Sequence, residues 1–285
     1  MTYDRARRGP DVASKVGTMR VGDIQLDGVQ DGTAYLPSDY FGIEGTPGHD
    51  AMLNASGQAE LPIACFVVRT GGLTVLLDAG FGPRSVEWSP TAGQTVRLDG
   101  GDLPAQLETH GVSAADVDLV LLSHLHGDHS GWVWRDGAPY FPNATVRFGR
   151  GDWQTFVEDG VAGANAAGFR ELAAMGLVEL VDGDGVVAPG IDALHTPGHT
   201  PGHLTFVVSS GGQRALFLGD AISCPVQIEA PEFDALADMD RVLGIATRDR
   251  ILRELEEGDL VGGPHFPGLR FGRVLTGQRG RLTWT

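Results

Sequence analysis

Apolar and polar positions along this chain fall into short runs punctuated by glycine and proline, the pattern of many brief strands linked by turns. Runs at Arg20–Val29, Ile63–Thr70 and Leu73–Asp78 read as strands, and Gly71-Gly72 between the last two is a two-residue hairpin signal. Leu103–His110 has helical spacing and stops at Gly111, and Ser113 with Asp116 makes a capping-box pattern before a strand at Asp118–Leu122. Ala144–Phe148 and Val178–Val181 read as strands, Asp152–Glu158 and Asn165–Met175 as helices. Further on, Ile191–Leu194, Leu204–Val208 and Ala215–Leu218 are strand-like, and Asp238–Glu257 is helical with a break expected near Thr247. Leu260-Val261 forms a last short run, and Arg270–Thr285 predicts a terminal hairpin turning at 277–280. Two groups of strands, each followed by helical segments, predict a layered α/β architecture with sheets inside and helices outside.

The 42 glycines and 16 prolines are spread along all 285 residues, so one domain over 18–285 is expected, behind a flexible leader at 1–17 that has charge but no apolar core. No stretch approaches the roughly 20 apolar residues of a membrane helix, and cytoplasm is the expected compartment. With 37 acidic against 21 basic residues, the formal charge of −16 would repel a phosphate backbone, which disfavours nucleic acid as a partner; no membrane partner is expected either. A small, neutral or weakly charged molecule fits better. Cys65 and Cys224 have no metal-type spacing and are expected to be inert.

The candidate chemistry begins at His124-Leu125-His126-Gly127-Asp128-His129, directly after the apolar run Leu119–Leu122. Four metal-type ligands in six positions suit zinc and its borderline neighbours, yet one short turn can complete only part of a coordination shell. Three further ligands stand at turns after apolar or Gly-rich segments: His199 in Thr-Pro-Gly-His, Asp220 in Leu-Gly-Asp, and His265 in Gly-Pro-His. Strand-end loops can aim such side chains at one point, and seven ligands suffice for two divalent ions. Zinc is the first expectation, with iron, manganese or cobalt as alternatives.

This ordered set, with Thr-Pro-Gly-His-Thr-Pro-Gly-His at 196–203, resembles the metallo-β-lactamase superfamily over about Asp78 to His265. The resemblance implies a four-layer αββα sandwich with two mixed sheets inside, and a metal centre at one edge between them. It implies that His124, His126 and His199 hold one ion, that Asp128, His129 and His265 hold the other, and that Asp220 bridges. It further implies a hydroxide shared between the ions as nucleophile, with Asp128 and Asp220 as catalytic residues and Asp128 accepting or relaying a proton. His129, together with Asp rather than Cys at 220, sets the chain apart from the commonest lactamases; His126 and the missing flavodoxin domain set it apart from flavodiiron oxidoreductases.

Gly219-Asp220, Pro225-Val226-Gln227 and His265-Phe266-Pro267-Gly268 resemble the acyl-homoserine lactonase and methyl parathion hydrolase-like subgroup, which implies lactone hydrolysis. Phosphotriester hydrolysis is the alternative, followed by glyoxalase II-like thioester cleavage and iron-dependent persulfide oxidation. Acyl-homoserine lactonases commonly have Tyr three residues after the bridging Asp, where this chain has Ser223. Asp78 and His203 are expected to support ligands or their loops, while His49, His110 and His195 are expected to be structural or solvated. Tyr35, Tyr40, Phe41, Ser223 and Phe266 are candidate pocket residues, and Trp132 and Trp134 are expected to pack in the core. Homodimerisation is left open.

Overall fold

The computed structural model of the chain describes residues 17–41, 50, 52–232, 235–276 and 282–285. The expected leader lies almost wholly outside the described residues, as do His49 and the turn at 277–280.

A nine-stranded mixed sheet is built from β1 (Thr18–Val21), β2 (Ile24–Leu36), β3 (Ala59–Thr70), β4 (Leu73–Leu77), β5 (Ser85–Trp88), β6 (Val96–Asp99), β7 (Leu119–Leu121), β10 (Thr145–Gly149) and β11 (Val178–Val181). Its order is β11-β10-β7-β4-β3-β2-β6-β5, with β1 also paired to β2. A small ribbon, β8 (Trp134–Arg135) with β9 (Ala138–Pro139), lies beside it. The second mixed sheet runs in sequence order: β12 (Gly185–Ala188), β13 (Ile191–His195), β14 (Leu204–Ser210), β15 (Gln213–Phe217), β16 (Leu260–Gly262), β17 (Gly272–Thr276) and β18 (Leu282–Trp284).

Period-two alternation explains how the sheets stack. In β3, Ala64, Phe66 and Val68 face the second sheet, while Cys65 and Val67 face the opposite way. Leu204, Phe206 and Val208 of β14 meet them from the other side, and Val207 points outward. Phe66 and Phe217 join the two inner faces edge to face, their centroids 5.6 Å apart. On the first sheet's outer face lie helices α1 (Leu103–Thr109) and α4 (Ala166–Ala174), which contribute Leu103, Leu107, Phe169 and Leu172. Helices α5 (Val226–Glu229) and α6 (Arg241–Glu254) cover the second sheet through Ile228 and Ile251. The result is the αββα sandwich.

Several local expectations change. Arg20–Val29 is two strands, because Gly22 turns the chain at φ +55° between β1 and β2. β2 then runs on to Leu36 through a register shift between Gln30 and Gly32, so Tyr35 belongs to a strand rather than a loop. The helix expected at Asp152–Glu158 starts at Arg150 as α3 (Arg150–Asp152) and widens into a π-helical turn over Trp153–Glu158. α6 is unbroken at Thr247, whose hydroxyl donates sideways to the Pro197 carbonyl at 2.6 Å. Strands β5, β6 and β12 and helix α5 lie in segments that carry no clear periodic signal. Among the described residues no helix is long and apolar enough to cross a membrane.

Candidate metal centre

Parallel pairs in both sheets end at one shared edge. Leu77 of β4 is in register with Leu121 of β7, and the Asp78 N–H then donates to the Leu121 carbonyl at 2.9 Å. In the second sheet Phe217 of β15 is in register with Gly262 of β16. The two edges are joined where Leu204 N–H donates to the Ser123 carbonyl at 2.7 Å. All the ligand-type residues but His199 follow these strand ends. His124 and His126 follow β7, and Asp128 and His129 lie on the one-turn helix α2 (Gly127–Ser130). His199 sits between β13 and β14, Asp220 after β15 and His265 after β16.

Each imidazole but one is held by its Nδ1, which turns Nε2 inward. His129 Nδ1 meets Asp78 Oδ2 at 2.8 Å, His199 Nδ1 meets Asp238 Oδ1 at 3.0 Å, and His265 Nδ1 donates to the Pro62 carbonyl at 2.7 Å. His124 Nδ1 lies 3.1 Å from Ser123 Oγ. His126 instead turns Nδ1 inward, 3.0 Å from His124 Nε2 and 3.0 Å from His199 Nε2. With their Nδ1 protons directed at Ser123 and Asp238, His124 and His199 both bring lone pairs to this point, an arrangement that could hold a shared cation. Asp128, His129 and His265 form a second triplet, and the donor atoms of each triplet lie within 4.8 Å of one another.

Asp220 faces both. Its Oδ2 is 3.5 Å from His199 Nε2, and its Oδ1 is 3.7 Å from His129 Nε2 and 3.5 Å from His265 Nε2. These spacings exceed a hydrogen bond but match ligands placed about 2.0–2.2 Å from a common ion, which sit about 3–3.5 Å apart. His129 Nε2 and Asp220 Oδ1 are buried without a hydrogen-bond partner among the described residues. Orphaned donors and acceptors at the focus of seven ligand-type side chains fit a pair of divalent ions.

The electrostatics of the side chains agree. Burial first, then neighbouring histidines, pushes His124 well below its ordinary pKa, and burial with His199 pushes His126 down to about 3. Burial also pulls on His129, but the carboxylates of Asp128, Asp220 and Asp78 outweigh it and raise His129 to about 10. Burial pulls on His199 too, but its hydrogen bond to Asp238 and the Asp220 carboxylate raise it. His124 and His126 thus resist protonation while the carboxylates draw positive charge, the two halves of a metal site.

Around this focus the supporting residues are buried. Asp78, at φ +56°, accepts from Ser123 N–H at 2.7 Å and Ser123 Oγ–H at 2.9 Å while it holds His129. His203 Nε2 accepts from the Asp220 N–H at 2.9 Å and the Ala221 N–H at 3.2 Å, which places its proton on Nδ1 beside Thr196 Oγ1. It therefore shapes the turn that carries Asp220. Gly219 in that turn has φ +53°, and a Cβ there would lie 2.6 Å from His203 Nε2.

Three carboxylates in this shell went unread in the sequence. Asp31 accepts from five donors: Phe81, Gly82, Gly101 and Leu103 N–H and Trp132 Nε1–H. Asp152 accepts from Leu125 N–H, Gly202 N–H and Thr200 Oγ–H, tying the two histidine loops together, and burial pushes its carboxyl up to about 6. Asp238 joins His199 to Arg248, whose Nη1 lies 3.1 Å from Asp238 Oδ2 with both side chains fully buried. Nothing in their spacing singles these residues out, because each is an isolated Asp whose partners come from other elements.

A cavity of about 430 Å³ opens onto the centre at His126, Asp128, His199, Asp220 and His265. Its walls are largely apolar, with Leu36, Phe41, Leu61, Phe81, Val96 and Leu98 among them. Tyr40 and Ser223 also line it. Tyr35 does not: Ala34 and Leu36 face the cavity, so the pleat sends Tyr35 to the other side, 4.2 Å beneath the Arg97 guanidinium. Nor does Phe266, which is buried in the outer core of the second sheet against Trp284. Trp132 is in the core and Trp134 packs against it, while His195 Nε2 lies 2.9 Å from the Pro201 carbonyl and His110 Nδ1 3.7 Å from Asp27.

A family model described as "Metallo-beta-lactamase superfamily" matches residues 59–265, which include every ligand-type residue of the centre. The chain belongs to that superfamily. Among its metallo-beta-lactamase relatives, an N-acyl homoserine lactonase of Bacillus sp is 27% identical over 161 residues, 53% of this chain and 60% of that protein. N-acyl homoserine lactonase AttM of Agrobacterium fabrum is 33% identical over 124 residues, 40% of this chain and 44% of that protein. The chain thus spans about three fifths or less of the length of these curated relatives. Among solved structures of the same fold, the hydrolase AbOPH superposes with a TM-score of 0.77 at 23% identity, covering 94% of this chain and 96% of that one. AidC, a dizinc quorum-quenching lactonase seen with N-hexanoyl-L-homoserine, superposes with a TM-score of 0.75 at 21% identity, covering 95% and 96%.

Proposed function

We propose that this member of the superfamily is a metal-dependent hydrolase that opens a small neutral lactone bearing an apolar acyl chain. The observation that carries this reading is the cavity: a cluster of seven ligand-type side chains opens directly into apolar walls, in a volume suited to a small molecule. The N-acyl homoserine lactonases among its relatives support the same substrate class.

His124, His126 and His199 would hold one divalent ion, Asp128, His129 and His265 another, and Asp220 both, with zinc as the first expectation. When bound, the ions supply Lewis-acid polarisation of the ester carbonyl and a hydroxide nucleophile at neutral pH. The chain supplies the rest. Phe41, Phe81 and Leu98 bury the acyl chain, each methylene removed from water contributing about 0.8 kcal/mol. Asp128, part-exposed at the cavity, holds the proton that leaves the attacking water on a carboxylate oxygen and returns it to the departing ring oxygen. The water oxygen becomes bonded to the carbonyl carbon, the ring C–O bond breaks, and a hydroxy acid results.

His124→Ala and Asp220→Ala should each abolish opening of N-acyl homoserine lactones and lower the two bound metals per chain found by elemental analysis. Full turnover in either variant, with metal content verified, would sink the scheme. Wild-type kcat/KM measured on a lactone, a phosphotriester and a glutathione thioester should rank the lactone first. Tightly bound iron together with oxygen uptake would replace hydrolysis by oxidation as the reading.

A further inference from the structure

An ester carbonyl oxygen gains negative charge as its carbon is attacked, and a donor already in place beside it lowers the barrier. The neutral side-chain donors that line the cavity are Tyr40, Ser223 and Trp88. Trp88 stands on β5, all of whose residues are exposed. Ser223 is buried on a short arm, its N–H held by Gln227 Oε1 at 2.8 Å. Tyr40 is the long one. Its backbone is fixed on both sides, its N–H donating to Pro37 at 3.0 Å and its carbonyl accepting from Leu236 N–H at 3.1 Å. Its ring meets Phe41 edge to face, centroids 5.1 Å apart.

The fold ties this residue to the centre. Leu236 stands two residues before Asp238, so the segment that holds ligand-type His199 also holds Tyr40. Its hydroxyl makes no hydrogen bond among the described residues, which leaves the proton available to a ligand.

We infer that Tyr40 is a catalytic residue: its phenol O–H donates a hydrogen bond to the substrate's carbonyl oxygen as charge builds there. This rests on the hydrolase reading above. No proton is transferred; the phenol keeps it throughout, and the bond shortens as the oxygen becomes more negative.

The test uses metal-loaded full-length protein carrying Tyr40→Phe, which removes the hydroxyl and keeps the ring on Phe41. Tyr35→Phe, off the cavity, is the control, and Ser223→Ala examines the competing donor. Kinetics on an N-acyl homoserine lactone are paired with calorimetric titration of the corresponding non-hydrolysable lactam and with metal analysis. Tyr40→Phe should lower kcat by about a hundredfold with KM little changed, weaken lactam binding several-fold, and retain two metals and the wild-type Tm. Wild-type kcat in Tyr40→Phe, or a loss in Ser223→Ala as large as that in Tyr40→Phe, overturns the assignment. If the wild-type protein opens no lactone, the hydrolase reading fails separately and the lactam titration decides on Tyr40. Weaker binding by Tyr40→Phe then supports it, whereas equal binding by both proteins, or binding by neither, overturns it.

Discussion

Asp238 shows how much a single residue outside the ligand set can govern. One carboxylate oxygen orients His199 and the other pairs with Arg248, all three in a water-excluded site. Asp238→Ala would take from Arg248 the Asp238 carboxylate and from His199 its orienting acceptor. The expected loss is about 1–3 kcal/mol of stability, because a buried guanidinium loses one charged hydrogen-bond partner, and about 10–100-fold in metal affinity. Asp238→Ala combined with Arg248→Met should recover most of the stability in urea unfolding but not the metal affinity measured by competition with a chelating dye. Recovery of both would show that Asp238 acts on the fold alone. Residues of this kind were invisible in the sequence, whereas His124, His126, Asp128 and His129 could be read at once because four ligand-type residues share one turn. A lone Asp reveals nothing until folding shows what it touches.

At the scale of elements, helix α6 and the His199 loop form one unit. The Asp240 side chain caps the helix by accepting from Leu243 N–H at 2.9 Å, while the Asp240 and Met239 N–H groups donate to the Gly198 and His199 carbonyls. Asp240→Ala removes the cap but leaves those backbone bonds. It should cost about 1 kcal/mol in denaturant unfolding, with bound metal unchanged in elemental analysis. Loss of metal would mean that the cap, beyond the backbone, sets the loop. The elements legible in the sequence were those with strong alternation between clear breakers, such as β3 and β4 around Gly71-Gly72. The exposed β5 escaped because pairing with β6, not periodicity, makes it a strand, and at Trp153–Glu158 the helix was legible but its π-helical form was not: Phe156 in that turn packs on His126, centroids 5.5 Å apart.

Across the whole molecule the centre sits on the seam between the sheets. His124, His126, Asp128 and His129 come from the first sheet, and His199, Asp220 and His265 from the second. Ions held there would cross-link the two halves of the sandwich, so chelation should lower Tm. With free metal at about a thousandfold over its Kd the linkage is worth about 4 kcal/mol per ion, which for a chain of this size means a drop of roughly 10 °C or more. Differential scanning calorimetry before and after a chelator, then with zinc or cobalt restored, measures it; an unchanged Tm would show that the seam holds without metal.

By itself, the sequence determined the ligand types, their order and the alternation that stacks one sheet on another, because these depend on residue identity and local spacing. Tertiary structure alone decided which oxygen of Asp220 faces which triplet, that Asp31, Asp152 and Asp238 hold the loops, and that Tyr40 rather than Tyr35 meets the cavity. Those outcomes depend on strand register and on contacts between residues far apart in the chain: a shift of one position in β2 would exchange Ala34 and Leu36 for Tyr35 on the cavity face.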